Sequence, residues 1–308
     1  MFFKGKIIAP VFARVAYAVL KLVGWKRGTV LANAKHVAGA VPSDAVSGAD
    51  SKISPDYNTL LKNLTRHASE LLFRFGTFKK LPHDFTAYPC RVDGWNFSLD
   101  EAAIPVLEKM RSGGIFLTAH YGNYEAMGPW LCRLGIPLVA SYIPVKPKWL
   151  NNILERKIRA VDGRSYSVDA RTPRDFIRIL NDGKLFCLLS DQDSRIPSAI
   201  DGTLLGQPAN VNPLPDFLLK HRPQTPVFIC WMEERGASPE DASSKKVRVL
   251  HAIEVGGAQS EIASSTDSCV VNSQFNKWLE ERIRENPNLW YSFTHRRFYS
   301  QSPEIYNK

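Results

Sequence analysis

The apolar positions of this chain change period along its length, and the changes mark out alternating helices and strands. Leu60, Leu61, Leu64, Ala68, Leu71, Leu72 and Phe75 recur at helical spacing and predict a helix over 57–75. Ser98 followed by Glu101 has the form of a capping box, opening a helix through Val106, Leu107 and Met110 that Gly113 ends. An apolar run then predicts a strand over 115–119, followed by a helix through Trp130 and Leu134, a strand over 137–142 and a helix from Pro147 towards Val161. Thr172-Pro173-Arg174-Asp175 combines a capping hydroxyl, a proline at the first helical position and an acid at the third, so a helix starts there and runs to Leu180. Asn181-Asp182-Gly183 turns the chain into a buried strand over 184–190. Further strands are expected over 226–231 and 247–253, and a C-terminal helix over 272–284. Residues 28–55, rich in Ala, Ser, Gly and Asp, lack a clear period and read as an irregular connection.

Strands alternating with helices imply an α/β fold, with a central, largely parallel sheet flanked by helices. Sites in such sheets gather outside the carboxyl ends of the strands. His120 follows one predicted strand and Asp191-Gln192-Asp193 follows another, so both polar clusters are expected to line one crevice.

Around the first of these ends lies the segment Ala119-His120-Tyr121-Gly122-Asn123-Tyr124-Glu125. A neutral imidazole takes a proton from a hydroxyl, and a nearby carboxylate fixes its tautomer and stabilises the imidazolium. On one continuous helix, residues five apart point about 140° away from each other, so His120 and Glu125 meet only if the backbone turns between them. Gly122 and Asn123 permit that turn, and Asn123 is placed to cap a helix beginning at Tyr124. A carboxylate in a first helical turn also complements the helix dipole with no catalytic purpose, so this pair alone carries little weight.

With 308 residues, 44% of them hydrophobic, the chain can fill a substantial core. Cys90, Cys132, Cys187, Cys230 and Cys269 are an odd number without C-x-x-C spacing, which points to thiols in a reducing compartment rather than disulfides or a zinc site. The net charge is +10, and its distribution is uneven. No acidic residue precedes Asp44, whereas Lys4, Lys6, Arg14, Lys21, Lys26, Arg27 and Lys35 contribute seven positive charges among apolar runs. Those runs are too short to span a bilayer, and Arg14 interrupts any secretory signal. A basic helix lying in the membrane interface, with Trp25 at the boundary, accommodates all of these residues. The expected organisation is therefore an anchor helix over 1–27 and a single domain over 28–308.

Three separated segments carry a family resemblance in the same order. They are Leu117-Thr118-Ala119-His120-Tyr121-Gly122-Asn123-Tyr124-Glu125, then Leu188-Leu189-Ser190-Asp191-Gln192-Asp193, and Ile283 to Trp290 leading into His295-Arg296-Arg297-Phe298. With these segments the chain, from its N-terminal helix almost to its last residues, resembles the lipid A biosynthesis late acyltransferases. These are the lauroyl and myristoyl transferases of the wider lysophospholipid acyltransferase superfamily. The resemblance implies transfer of a fatty acyl chain from an acyl carrier protein thioester, or acyl-CoA, to a hydroxyl of a glycolipid such as a lipid A precursor. It implies neither metal nor cofactor, and a location on the cytoplasmic face of the bacterial inner membrane.

In that comparison His120 is the general base and Glu125 the carboxylate that orients it. Gly122 and Asn123 would open a helix whose N–H groups receive the oxyanion. Asp191, Gln192 and Asp193 would hold sugar hydroxyls or position Arg159 or Arg195, with Arg156 a rival to Arg159 in register. His295, Arg296 and Arg297, beside Trp290, Tyr291 and Phe298, suit a basic, aromatic surface near lipid headgroups or phosphates. Leu204-Leu205-Gly206 and Val211-Asn212-Pro213 stand where the family has a Phe-Gly turn and a Thr-x-x-Gly segment. That departure leaves chain length and acceptor open, a phosphatidylinositol mannoside type of glycolipid included.

Other classes fit less well. No G-x-S-x-G elbow is present and no cysteine has an activating context, which disfavours a hydrolase. A peripheral lipid-binding protein without catalysis would use the basic helix but leave the polar clusters unexplained. Nucleic acid is not an expected partner, because the excess charge sits on an apolar segment rather than a polar stripe.

Overall fold

The computed structural model describes residues 2–39, 53–142, 144, 146–169, 172–236, 246–256 and 270–307. An eight-stranded sheet divides the protein into two packed layers. Its strands are β1 (Cys90–Val92), β2 (Trp95–Leu99), β3 (Gly114–Thr118), β4 (Leu138–Ser141), β7 (Ser167–Val168), β8 (Leu185–Leu189), β11 (Val227–Arg235) and β12 (Val247–Gly256). They lie in the order β1-β2-β12-β11-β3-β8-β4-β7. Only β1 with β2 and β11 with β12 pair antiparallel. The other neighbours are parallel, as expected for an α/β fold. Two short hairpins complete the strands, β5 (Ala160–Val161) with β6 (Arg164–Ser165), and β9 (Ile200–Leu204) with β10 (Gln207–Val211).

The alternation of side chains along β3 assigns its residues to two cores. Ile115 and Leu117 join one layer, with helices α7 (Pro173–Asn181), α8 (Leu214–His221) and α9 (Val270–Glu285). Phe116 joins the other, with α4 (Ile104–Met110) and α5 (Tyr124–Arg133). Strand β11 alternates likewise, Ile229 facing the first core, and Phe228 and Cys230 the second. Cys90, Cys132, Cys187 and Cys230 are free thiols, while Cys269 lies outside the described residues.

Four expectations are corrected. Part of the supposed irregular connection is a helix, α2 (Arg27–Ala38), whose Val30, Asn33 and Val37 are buried at helical spacing against the body. Ser98 caps nothing, being in β2; Asp100 accepts from the Ala102 N–H and starts a short 3-10 turn before α4. The expected helix over 147–161 is α6 (Lys148–Ile153), a π-helical turn Leu154–Ile158 and then β5, because Asp162-Gly163 makes a hairpin with both residues at positive φ. Asn123 occupies the cap position of α5, but its side chain makes no capping bond there and donates to Glu70 Oε2 at 2.7 Å.

At the N-terminus, α1 (Phe2–Leu22) lies along α3 (Tyr57–Phe73). The Ser69 hydroxyl donates to the Ala9 carbonyl and the Tyr57 hydroxyl to the Trp25 carbonyl. The side of α1 turned away from α3 exposes Ile8, Val11, Val15, Val19 and Leu22, while Phe12, partly exposed, packs edge-on against Phe73 of α3 with ring centres 5.2 Å apart. Among the described residues no single helix is long and apolar enough to cross a membrane, although the segments Ile8–Leu22 and Arg27–Ala38 pass that test together with a 79° bend between them.

Candidate active site

His120 stands two residues beyond the end of β3, and Asp191 stands two beyond β8, its parallel neighbour in the sheet. Parallel pairing therefore brings both strand ends to one point. The His120 ring donates from Nδ1 to Asp191 Oδ1 at 2.7 Å, and the His120 backbone N–H donates to Oδ2 at 3.1 Å. Asp191 Oδ2 also accepts from Trp290 Nε1 at 2.9 Å and from the Ser292 hydroxyl at 2.7 Å. Asp191 is wholly buried. Burial alone would raise its pKa, but the His120 charge and these hydrogen bonds hold it well below the usual carboxylate range.

Those contacts fix the chemistry of the imidazole. With Nδ1–H directed at a carboxylate, Nε2 carries the lone pair. Burial pulls the His120 pKa down, yet the Asp191 charge and hydrogen bond, with the Glu125 charge behind them, outweigh it and leave the pKa raised. The Gln192 amide lies 3.5 Å from Nε2. Among the described residues no serine or cysteine side chain is hydrogen bonded to His120.

The C-terminal segment holds the loop after β3 in place. The Tyr291 N–H donates to the His120 carbonyl at 2.8 Å and the Gly122 N–H to the Leu289 carbonyl at 2.9 Å. Gly122 has φ +58°, and a Cβ there would lie 3.1 Å from the Met232 carbonyl, so both backbone and space favour glycine. Gly122 and Asn123 thus face a small polar cluster with Glu70 and Arg248 rather than the crevice.

Glu125 does reach the crevice, but it is not the carboxylate bonded to the imidazole. Its Oε1 pairs with Arg159 Nη2 at 3.3 Å, both side chains being mostly buried, and the Arg159 guanidinium lies 5.1 Å from the Tyr142 ring centre. Arg159 lines the cavity, whereas Arg156 is exposed and is not among the lining residues. Asp193 positions Arg195, with Oδ2 at 3.0 Å from Nε, and Arg195 stacks 4.7 Å from the centre of Tyr299. His295 is exposed, its ring centre 6.2 Å from that of His120. Burial of part of its ring and the neighbouring His120 lower its pKa. Arg296 sits over Tyr299 and Tyr306. Arg297, counted with the surface in the sequence, is wholly buried instead.

His120, Tyr124, Glu125 and Arg159 edge a cavity of about 710 Å³ between α5 and the sheet. Its walls are mainly apolar, with Phe116, Met127, Leu138, Ala140, Cys187 and Leu189 among them. The small residues Ala140 and Cys187 on the sheet leave space that larger ones would fill, whereas Gly128 on α5 makes room for the Tyr166 ring. Among the described residues no group of three or more His, Cys, Asp or Glu side chains is arranged to hold a metal ion.

Sequence reasoning missed Trp290 and Ser292 as partners of Asp191, and the Asn123 contact with Glu70. Neither leaves a local signal, since the partners lie 99, 101 and 53 positions away. No protein-family model matches the chain, and no curated protein matches it significantly.

Proposed function

We propose that the chain is a membrane-surface O-acyltransferase of the type its motifs resemble. It would move a fatty acyl chain from an acyl carrier protein or CoA thioester to a hydroxyl of a glycolipid, a lipid A precursor or a phosphatidylinositol mannoside type. The observation that carries this reading is a base, His120 Nε2, at the edge of an apolar cavity with its other nitrogen fixed by Asp191. In the reaction the acceptor hydroxyl gives its proton to Nε2 while its oxygen attacks the thioester carbonyl. The new C–O bond forms, the C–S bond breaks, and the leaving thiolate takes the proton back from the imidazolium. The Tyr124 and Glu125 backbone N–H groups at the start of α5 would receive the developing oxyanion. Arg159, held by Glu125, supplies a positive charge for a phosphate on carrier or acceptor.

The absence of a serine or cysteine on Nε2 among the described residues favours direct attack by the acceptor over a covalent enzyme intermediate. The exposed apolar stripe of α1, flanked by Arg14 and Lys21, supports docking on an anionic membrane, taken here as the cytoplasmic face of the bacterial inner membrane. The purified protein, incubated with a saturated acyl carrier protein thioester and extracted bacterial glycolipids, is expected to add one acyl mass to an acceptor lipid. No acyl gain with either carrier protein or CoA donors would refute the enzyme reading.

A further inference from the structure

We propose that the outer face of α6 is a second membrane contact, seating Trp149 and Ile153 among anionic lipids at the opening of the cavity, an inference that rests on the membrane-surface reading above and extends it. Because β4 runs parallel to β8, the chain leaves β4 at the same edge of the sheet as His120 and Asp191, and α6 is the next helix. Both ends of this segment are tied to the cavity wall. Tyr142 before it and Arg159 after it line the cavity, with the Arg159 guanidinium 5.1 Å from the Tyr142 ring centre. Asn151 turns inward, its Nδ2 donating to the Tyr142 hydroxyl at 3.4 Å and to Glu155 Oε1 at 3.0 Å.

The outward side chains are of a different kind. Trp149 is 64% exposed and Ile153, one helical turn on, is 37% exposed. Lys146, Lys148 and Arg156 are exposed on the same segment, and none of them forms an ion pair among the described residues. Glu155, the one acid between positions 144 and 158, is the residue that Asn151 holds. An indole in a bilayer interface satisfies both its apolar body and its polar edge, and free cations around it match anionic headgroups. Composition and charge therefore point to one occupant, an anionic bilayer, and the same pairing of exposed aliphatic and basic residues recurs on α1. Helix α2, which follows α1, reaches the crevice from its other side: Asn33 Nδ2 donates to the carbonyl of His295 at 2.7 Å, and the His295 ring centre lies 6.2 Å from that of His120. A bilayer touching both α1 and α6 would bring a glycolipid hydroxyl to His120 while the chains of that lipid stay in the membrane.

The test follows the full-length protein on vesicles of phosphatidylcholine and phosphatidylglycerol whose acyl chains carry bromine, a quencher of indole fluorescence. Binding is expected to quench the wild type measurably more than Trp149→Phe, which keeps an apolar ring at that position but removes the reporting indole. Trp149→Glu combined with Ile153→Glu is expected to bind these vesicles roughly tenfold more weakly, and to unfold at no lower temperature because both side chains are exposed. Equal quenching in wild type and Trp149→Phe, or vesicle binding by the double variant as tight as that of the wild type, would overturn the proposal. A double variant that holds vesicles normally but loses affinity for acyl carrier protein would assign the face to that protein instead. Vesicle binding abolished by Val15→Glu with Val19→Glu but untouched by the changes in α6 would leave the membrane reading standing while removing this one. A wild type that binds no vesicles would remove both.

Discussion

His120 and Asp191, 71 positions apart, meet through a 2.7 Å hydrogen bond between Nδ1 and Oδ1. The bond joins the ends of two adjacent parallel strands and selects the tautomer that leaves Nε2 unprotonated. Asp191→Asn keeps the shape but replaces the charge and can present the wrong hydrogen-bonding edge to Nδ1. The variant is expected to lose about 10²–10⁴ in kcat, with a much smaller change in KM. Steady-state kinetics of acyl transfer measure the split, and an unchanged kcat would show that the bond does not act through the base.

Glu125 acts on the same imidazole from further away, by charge and not by contact. Only neutral His120 accepts a proton, so kcat/KM is expected to rise with pH through a midpoint above the ordinary histidine value. Glu125→Gln removes one of the charges that raise that midpoint. The acid limb of its profile should move to lower pH, and KM should increase as Arg159 loses its partner at 3.3 Å. A midpoint unmoved or displaced upward would contradict this electrostatic role.

His67 offers a readout of stability rather than rate. Its ring packs against Tyr124 at 5.0 Å and Tyr291 at 5.7 Å between centres, and burial pushes its pKa down to about 4. An unfolded chain protonates this histidine near pH 6.5, before the native state does. Stability from this group is therefore complete above about pH 6.5 and falls as the pH drops towards 4, by at most ~1.4 kcal/mol per unit. Urea unfolding at neutral pH and at pH 5 should show a smaller loss in His67→Phe than in the wild type. An equal loss would mean that other groups account for the acid sensitivity.

The exposed stripe on α1 makes the membrane claim testable without removing a helix that packs on α3. Val15→Glu combined with Val19→Glu places charge on outward positions. The double variant is expected to keep its unfolding temperature and to sediment far less with anionic vesicles, since burying acids in the interface is costly. Unchanged sedimentation would leave α1 without a part in membrane binding.

The period of the apolar positions was enough to expect β3 and β8, because a buried strand in a parallel sheet is a plain apolar run. From there the rule about strand ends brought His120 and Asp191-Gln192-Asp193 to one crevice. The partner of the imidazole was not legible: Glu125 is near in sequence, while Asp191 is near only through strand pairing. The helix α2 was hidden by its composition, since only Val30 and Val37 are large apolar residues on its buried side. The β9–β10 hairpin was hidden too: Ile200, Leu204, Ala209 and Val211 do alternate with Asp201, Thr203 and Asn210, but Gly202 and Pro208 are residues that disfavour a strand interior. Arg297 looked like part of a basic surface beside Arg296, and only tertiary packing separates a buried guanidinium from its exposed neighbour.

The central claim is that His120 is the base of an acyl transfer, and its most direct test is turnover by His120→Gln. Wild type and variant are compared on vesicles containing the glycolipid acceptor, with a labelled acyl carrier protein thioester as donor. The account predicts that kcat falls by about 10²–10⁴ while vesicle binding and unfolding temperature stay at wild-type values. Turnover equal to that of the wild type, in a variant just as well folded, would contradict it.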